Sequence, residues 1–426
     1  MTSSIEFRAS REPLQRDKAS RVAKSTTRRP CSGHGQAPRS GYPETMMTLL
    51  RSFAAAFLAL LFIGTAPVSA QTAQWDGVSR IVVIGDLHGD DEKFTDMLRT
   101  AGLIDAQSHW IGGQTHLVQL GDIPDRGPNS RMILDLLMQL EPQAQRAGGR
   151  VHALIGNHEA MNIYGDLRYV HPGEYAAFAT GRSARVRDRY YQQYTTALRR
   201  NPPVTGLPVF DAAYRAQWDA EHPLGWVEHR EAWSPRGRYG RWIARHNALI
   251  RINDTLFLHA GLGPSFAVAQ RPAMNAAVSA ALNARPMATY PDILENQEGP
   301  LWYRGLSQNP EATETANLEN VLRSQGVARV IVGHTKVTST VLPRFNGRVL
   351  IADIAVPRGH QDPHAFLIFE NGAWTTIHRG QRVPVIASTP RETCAYLRQI
   401  VALDDGTGPV ATLEQTQCAA TPAAAH

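Results

Sequence analysis

Three short strings in the first half of the chain carry side chains that bind metal ions and move protons. They are Gly85-Asp86-Leu87-His88-Gly89-Asp90, Gly121-Asp122-Ile123-Pro124-Asp125-Arg126-Gly127 and Gly156-Asn157-His158-Glu159. Two later histidines stand in similar settings: His259 before Ala260-Gly261, and His334 between Gly333 and Thr335. Carboxylate, imidazole and amide donors gathered together suit divalent ions. A two-ion hydrolytic centre needs a bridging carboxylate, further donors on each ion, and open positions for water and substrate. Asp86 and His88 can be offered by one loop to one ion, and Asp122 is the natural bridge. Asn157, His259 and His334 can complete the second ion. His158, beside Asn157, points elsewhere if the stretch is extended, which leaves it free to handle protons. Asp125 can hold it protonated, and Arg126 matches a planar spread of phosphate oxygens. No activated serine or cysteine nucleophile is evident, so direct attack by a metal-bridging hydroxide is expected rather than a covalent intermediate.

Each string follows an apolar run: Ile81–Ile84, Leu117–Leu120 and Leu154–Ile155. Short branched runs stopped by glycine predict buried parallel strands. Open α/β sheets place their sites beyond the carboxyl ends of such strands. Further strands are predicted at Thr255–Leu258, before His259, at Arg329–Val332, before Gly333-His334, and at Val349–Ile351, leading to Asp353. Ala365–Phe369 is also a strand, and Asn371-Gly372 marks a hairpin from Phe366–Phe369 to Trp374–Ile377. The strands alternate with helices predicted at Asp91–Leu103 and at Ser130–Leu140, with Pro142 just beyond the end of the second. Thr389-Pro390-Arg391-Glu392 carries an N-cap, a proline at the first position and a capping box, and so opens a last helix. Thr421–His426 is expected to be a disordered tail.

Residues 161–246 differ in character. They are rich in Arg, Tyr and Trp, with a helix around Tyr190, Tyr191 and Tyr194, a break at Asn201-Pro202-Pro203, and a helix at Phe210–Glu221. An insert of this size between strand motifs is expected to cover the site and shape its cleft. His116, His152, His171, His246 and His360 are assigned no chemical role.

The formal charge of +6 is misleading. Residues 1–70 hold 10 of the 44 Lys and Arg and 4 of the 38 Asp and Glu, so 34 of each sign remain and the rest is formally neutral. Nucleic-acid binding loses its main support. Residues 1–45 are polar and Arg-rich, an over-extended or disordered leader. Residues 46–70 have the form of a secretory signal: Arg51, an apolar segment from Phe53 to Gly64, then Val68-Ser69-Ala70 before cleavage at Gln71. An uncleaved anchor is the alternative, although the apolar run is short for a membrane span. A periplasmic or secreted protein with no stable membrane association after cleavage is expected. Export would let Cys394 and Cys418 pair; two free thiols are the alternative.

The three strings, with His259-Ala260-Gly261 and Gly333-His334 downstream, resemble the metallophosphoesterase superfamily, and the Asp-Arg-Gly and Asn-His-Glu forms narrow the likeness to its phosphoprotein phosphatase type. The resemblance spans most of residues 80–355. It implies an α/β fold, a calcineurin-like β-sandwich flanked by helices, with the insert as a helical or irregular cap over a domain of residues 71–385. It implies two divalent ions, manganese, iron or zinc, held by Asp86, His88 and Asp122 and by Asp122, Asn157, His259 and His334. It implies that His158, supported by Asp125, is the general acid and that Arg126 binds phosphate. Gly299-Pro300-Leu301-Trp302-Tyr303-Arg304-Gly305 replaces the eukaryotic Leu-Trp-Ser-Asp-Pro string. With Leu224-Gly225 and Glu228-His229-Arg230, it is similar to the bacterial Shewanella-like phosphatases, which implies Arg304 as a second phosphate clamp. Gly333-His334-Thr335-Lys336 lacks the second histidine of many superfamily members. The expected substrate is a phosphorylated protein or a small phosphoester. Rival readings are a dinucleoside polyphosphate or nucleotide hydrolase on the same centre, and a silent phosphate-binding module.

Overall fold

The computed structural model describes residues 72–203, 206–284, 291–354 and 364–419. The leader, the signal segment, Cys31, His360 and the tail lie outside the described residues. Among the described residues, twelve strands form two six-stranded sheets. The strands are β1 (Gln74–Trp75), β2 (Arg80–Ile84), β3 (His116–Gln119), β4 (Arg150–Ala153), β5 (Leu249–Ile252), β6 (Thr255–Leu258), β7 (Arg329–Val332), β8 (Leu342–Arg344), β9 (Val349–Ile351), β10 (Ala365–Glu370), β11 (Ala373–His378) and β12 (Gln381–Pro384). One sheet runs β12-β11-β10-β2-β3-β4 and the other β1-β5-β6-β7-β9-β8. Within them β2, β3 and β4 are parallel, as are β6, β7 and β9. The three strings, His259 and His334 follow the carboxyl ends of β2, β3, β4, β6 and β7.

Both faces of these strands are buried, which is why their sequences run apolar without alternation. Ile81, Val83, Val118 and Leu120 of one sheet share a core with Ile250, Ile252, Phe257, Ile331 and Leu350 of the other. Their neighbours Val82, Ile84, Leu117, Val330 and Val332 face helices in the larger core. Burying each such side chain contributes about 1.5–3 kcal/mol relative to leaving it exposed. The helices are α1 (Asp91–Thr100), α2 (Ser130–Arg146), α3 (Asn157–Tyr164), α4 (Pro172–Phe178), α5 (Ser183–Arg200), α6 (Ala212–Glu221), α7 (Trp226–Trp233) and α8 (Arg238–Ile243). After β6 come α9 (Arg271–Asn283), α10 (Asp292–Glu295), α11 (Gly305–Gln308) and α12 (Glu311–Gln325), and after β12 come α13 (Pro390–Leu403) and α14 (Gly408–Cys418). No helix among the described residues is long and apolar enough to cross a membrane.

Three local expectations are corrected. Helix α1 ends at Thr100, because Gly102 at φ 67° turns the chain out of it. Helix α2 does not stop before Pro142 but runs through it to Arg146. An interior proline costs about 3 kcal/mol. Buried Leu140 and Ala144 hold the last turns in place, and Gln143 Oε1 accepts from Trp110 N at 2.7 Å. Helix α13 is capped by Thr389, whose hydroxyl accepts from Glu392 N at 3.3 Å, but it is not the last helix. Helix α14 packs back on it, and Cys394 is disulfide-bonded to Cys418 with the Cα atoms 5.7 Å apart. The hairpin at Asn371-Gly372 pairs Phe366 with Ile377 and Phe369 with Trp374.

The insert carries α4 to α8. It is tied to the sandwich by Trp233, Tyr239, Trp242 and Ile243, which join the main core, and by Arg230, which donates to the carbonyls of Asn162 and Ile163 in α3. His229 of α7 lies among the rings of Tyr175, Phe178 and Trp233. Burial, with the charge of Arg230, pushes its pKa down to about 3. Burial, with Arg150, pushes His116 down to about 4. In the unfolded chain both titrate near about 6.5. A depressed folded pKa means that the unfolded state takes the proton first, so this stability is intact above about pH 6.5 and is lost as pH falls toward the folded values. The melting temperature should therefore fall steadily between pH 6.5 and 4, and His229→Phe should flatten the slope. An unchanged slope in that variant would remove His229 from the account.

Candidate metal centre

The donors converge where the carboxyl ends of β2, β3 and β4 meet those of β6 and β7. Asp86 and His88 lie on the loop from β2 to α1. Asp122, Asp125 and Arg126 lie on the loop from β3 to α2, and Asn157 and His158 open α3 after β4. His259 follows β6 and His334 follows β7. Five of these residues have left-handed backbone: His88 at φ 49°, Asp122 at 56°, Asp125 at 73°, Arg126 at 60° and His334 at 64°. Non-glycine residues seldom adopt it, and it costs roughly 1–2 kcal/mol each. The loops hold it by hydrogen bonds: Leu87 N and His88 N both donate to Asp122 O at 3.0 Å, and Gly89 N to Ile123 O at 2.8 Å. Two glycines are required by close approach. A Cβ on Gly156 would collide with Asp122 Oδ1, and one on Gly333 would lie 2.5 Å from Asp86 Oδ1.

The sequence reading placed Asn157 and His158 in extended backbone. They instead form the first turn of α3. They still diverge, because successive helical residues are rotated by about 100°. Asn157 Oδ1 meets His259 Nε2 at 3.0 Å, whereas His158 turns its Nδ1 to Asp125 Oδ2 at 2.5 Å.

The second side of the centre is the tighter. His259 Nδ1 donates to Leu120 O at 2.9 Å, which leaves Nε2 with its lone pair facing inward. Around that nitrogen stand His334 Nδ1 at 3.0 Å, Asn157 Oδ1 at 3.0 Å and Asp122 Oδ1 at 3.2 Å. Four electron-rich atoms so close demand positive charge. Burial alone would depress His259, but the Asp122 carboxylate outweighs it and lifts the imidazole to about 9. A proton there supplies one unit of charge; a divalent ion supplies two and engages all four donors. The donor set fits such an ion. Burial, helped by His259, pushes His334 down to about 2, so its ring is neutral and could donate a lone pair to an ion.

On the other side His88 Nε2 lies 3.8 Å from both Asp86 Oδ2 and Asp122 Oδ2, and His88 Nδ1 bonds Pro124 O at 3.0 Å. Burial pushes His88 down to about 3. Burial raises Asp86 well above the carboxylate range, aided by the charge of Asp353. Burial acts the same way on Asp122, but His259 and His158 outweigh it and hold that carboxyl well below the usual range. His158 Nε2 also comes within 3.7 Å of Asp122 Oδ2, so His88, Asp122 and His158 form a second group compact enough for an ion. Asp86 Oδ2, at the same distance from His88 Nε2 as Asp122 Oδ2, is the alternative third donor to His158. Arg126 Nη2 stands 3.4 Å from His158 Nε2, and a guanidinium at that nitrogen works against a metal there.

His158 is held in a buried hydrogen-bonded pair with Asp125. Burial opposes its charged form, but Asp122 and Asp125 outweigh it and raise its pKa. Asn162 Nδ2 donates to Asp125 Oδ1 at 2.9 Å and to His158 O at 3.0 Å, which fixes the pair. Arg304 reaches the centre from the N-terminus of α11, where its Nη1 donates to His334 O at 3.0 Å and Thr335 Oγ1 at 3.1 Å. All ten residues singled out from the sequence thus lie around one centre. Among the described residues, the other histidines given no chemical role lie elsewhere. His116 and His152 bond each other at 3.1 Å, His171 caps α4 by accepting from Gly173 N, and His246 meets Glu141 at 2.5 Å.

Three supporting residues were given no role in the sequence reading. The buried Glu159 carboxylate accepts from Asp122 N at 2.9 Å, Ile123 N at 2.7 Å and Gly156 N at 2.8 Å, locking the bridging loop to α3. Asn162 holds Asp125. Asp353, buried after β9, acts electrostatically on Asp86. Glu159 was legible in principle as a glutamate three residues after the N-cap Gly156, placed to reach back to its backbone N–H.

The calcineurin-like phosphoesterase family profile matches residues 79–337. The chain is 29% identical over 335 residues to Shewanella-like protein phosphatase 2 of Arabidopsis thaliana, covering 76% of this chain and 85% of that protein. It is 30% identical over 295 residues to an uncharacterized protein of Schizosaccharomyces pombe, covering 67% and 76%. Among solved structures it is similar to the cold-active protein-tyrosine phosphatase of a psychrophilic Shewanella, with 27% identity, a TM-score of 0.55, and coverage of 74% of this chain and 83% of that one. The strand-end donors, the two-sheet architecture and these likenesses agree: the chain belongs to the calcineurin-like phosphoesterase family and is a phosphatase, a hydrolase of phosphate esters.

Proposed function

We propose that this phosphatase acts on phosphoproteins, favours phosphotyrosine, and works outside the cytoplasm with two divalent ions, drawn from manganese, iron and zinc. The observation that carries the reading is the position of the Asp122 carboxylate between two donor groups, with the hydrogen-bonded His158–Asp125 pair and two arginines beside it. Asp86, His88 and Asp122 would hold one ion, and Asp122, Asn157, His259 and His334 the other. Bound ions supply Lewis acidity toward the phosphoryl oxygens and a nucleophilic water at neutral pH. Arg126 and Arg304 bind the remaining phosphoryl oxygens and stabilise the charge that develops on them. His158, held by Asp125 through Nδ1, presents Nε2 to the leaving oxygen and protonates it. The tyrosine preference is supported by the Shewanella relative, whose name states that activity. Export is supported by the signal-like segment and by the Cys394–Cys418 bridge, since structural disulfides persist in oxidising compartments.

The test is a panel of phosphotyrosine, phosphoserine and phosphothreonine peptides and a dinucleoside tetraphosphate, assayed with the metal-loaded protein. The expected result is peptide dephosphorylation, fastest on phosphotyrosine. Turnover of the dinucleotide alone would replace this reading with a nucleotide hydrolase.

A further inference from the structure

Tyr169 stands at the mouth of the centre. It lies on the loop between α3 and α4, and its carbonyl accepts from Arg126 N at 2.9 Å. Its backbone is thus tied to the peptide that presents the phosphate-facing guanidinium. Its ring centroid lies 5.2 Å from that of His158, and 5.7 Å from the Arg126 guanidinium carbon. His158 is only 2% exposed, whereas Tyr169 is 44% exposed. The ring therefore packs beside His158 and, with the exposed Arg168 guanidinium carbon 5.8 Å from its centroid, still leaves part of itself open to solvent. An aromatic so placed at a polar site is a platform for something that arrives.

Resting on the phosphoprotein phosphatase reading, we propose that Tyr169 is a specificity-determining residue, packing against the aryl ring of a phosphotyrosine leaving group. The leaving oxygen must come within hydrogen-bond reach of His158 Nε2 for protonation. A phenyl ring on that oxygen extends outward past Tyr169. A serine leaving group places only one methylene there and does not reach the ring. Aromatic pairs in offset or tilted contact contribute enough to change a rate or an affinity by roughly 3- to 10-fold.

The experiment compares wild type, Tyr169→Leu and Tyr169→Phe on matched phosphotyrosine and phosphoserine peptides, with kcat and KM resolved. Calorimetry follows the binding of phenylphosphonate and methylphosphonate to the same proteins. The expected result is that Tyr169→Leu loses roughly 3- to 10-fold in kcat/KM on phosphotyrosine, mostly in KM, and the same factor in phenylphosphonate affinity. Phosphoserine turnover and methylphosphonate affinity fall by a clearly smaller factor, and Tyr169→Phe keeps wild-type behaviour. Should Tyr169→Leu fold poorly, Tyr169→Gln serves the same comparison. An equal loss on both peptides, or an unchanged phenylphosphonate affinity, would overturn the proposal. A wild type that hydrolyses neither peptide would refute the phosphoprotein reading instead, and the phosphonate pair would still decide the role of Tyr169.

Discussion

Asp122→Asn should lower kcat by about a thousandfold or more while leaving the fold intact. The substitution keeps the shape and the Oδ1 acceptor that His158 N uses at 3.0 Å. The backbone of residue 122 stays locked, because Glu159 accepts from it independently. What is lost is the negative charge lying between His259 on one side and His88 on the other, at 3.2 and 3.8 Å. A neutral amide offers one oxygen and so cannot bridge two cations. Steady-state kinetics on the purified, metal-loaded variant, with a melting curve as control, is the measurement. Near-normal turnover would remove Asp122 from the role of bridge.

His158→Asn should lower kcat by roughly 10²- to 10⁴-fold on esters of alkyl alcohols. The loss should be much smaller on aryl esters whose phenols are good leaving groups. The logic is that of general acid catalysis: a poor leaving group needs its proton, and an acidic phenol leaves without it. The raised pKa of His158 keeps the acid form available near neutral pH, and Asn162 and Asp125 hold the ring in place. Comparing variant and wild type over leaving groups of graded acidity measures this. A loss of equal size across that series would show that His158 positions other groups and does not donate the proton.

The reach of the sequence depended on which physical constraint was local. Asp86, Asp122, His259 and His334 were legible because each comes within two residues of an apolar run that could only be a buried strand. The pairing of Ile81 and Val83 with the other sheet was not legible. When both faces of a strand are buried the pattern loses its alternation, and nothing in four apolar residues says which neighbour each one meets. Asn157 and His158 diverge as expected, but from a helical turn and not an extended stretch, and the helix start was hidden because its cap is a glycine with no side-chain cap bond. Helix α2 outlasts Pro142 because burial of Leu140 and Ala144 overrides the local penalty, a tertiary effect absent from any window. Asn162 and Asp353 act on partners far off in sequence, 37 residues in the case of Asn162 and Asp125. Such pairings follow from the assembled fold alone. The second C-terminal helix, from Gly408, has little apolar periodicity and is held by the disulfide and by buried Val410 and Ala411.

The central claim is that one carboxylate joins two cations. Anomalous diffraction from crystals of the manganese-loaded protein tests it most directly, with metal analysis of the same sample. The account predicts two peaks, one beside Asp86 and His88, the other beside Asn157, His259 and His334, with Asp122 in contact with both. A single ion, or two ions of which neither touches Asp122, would contradict it.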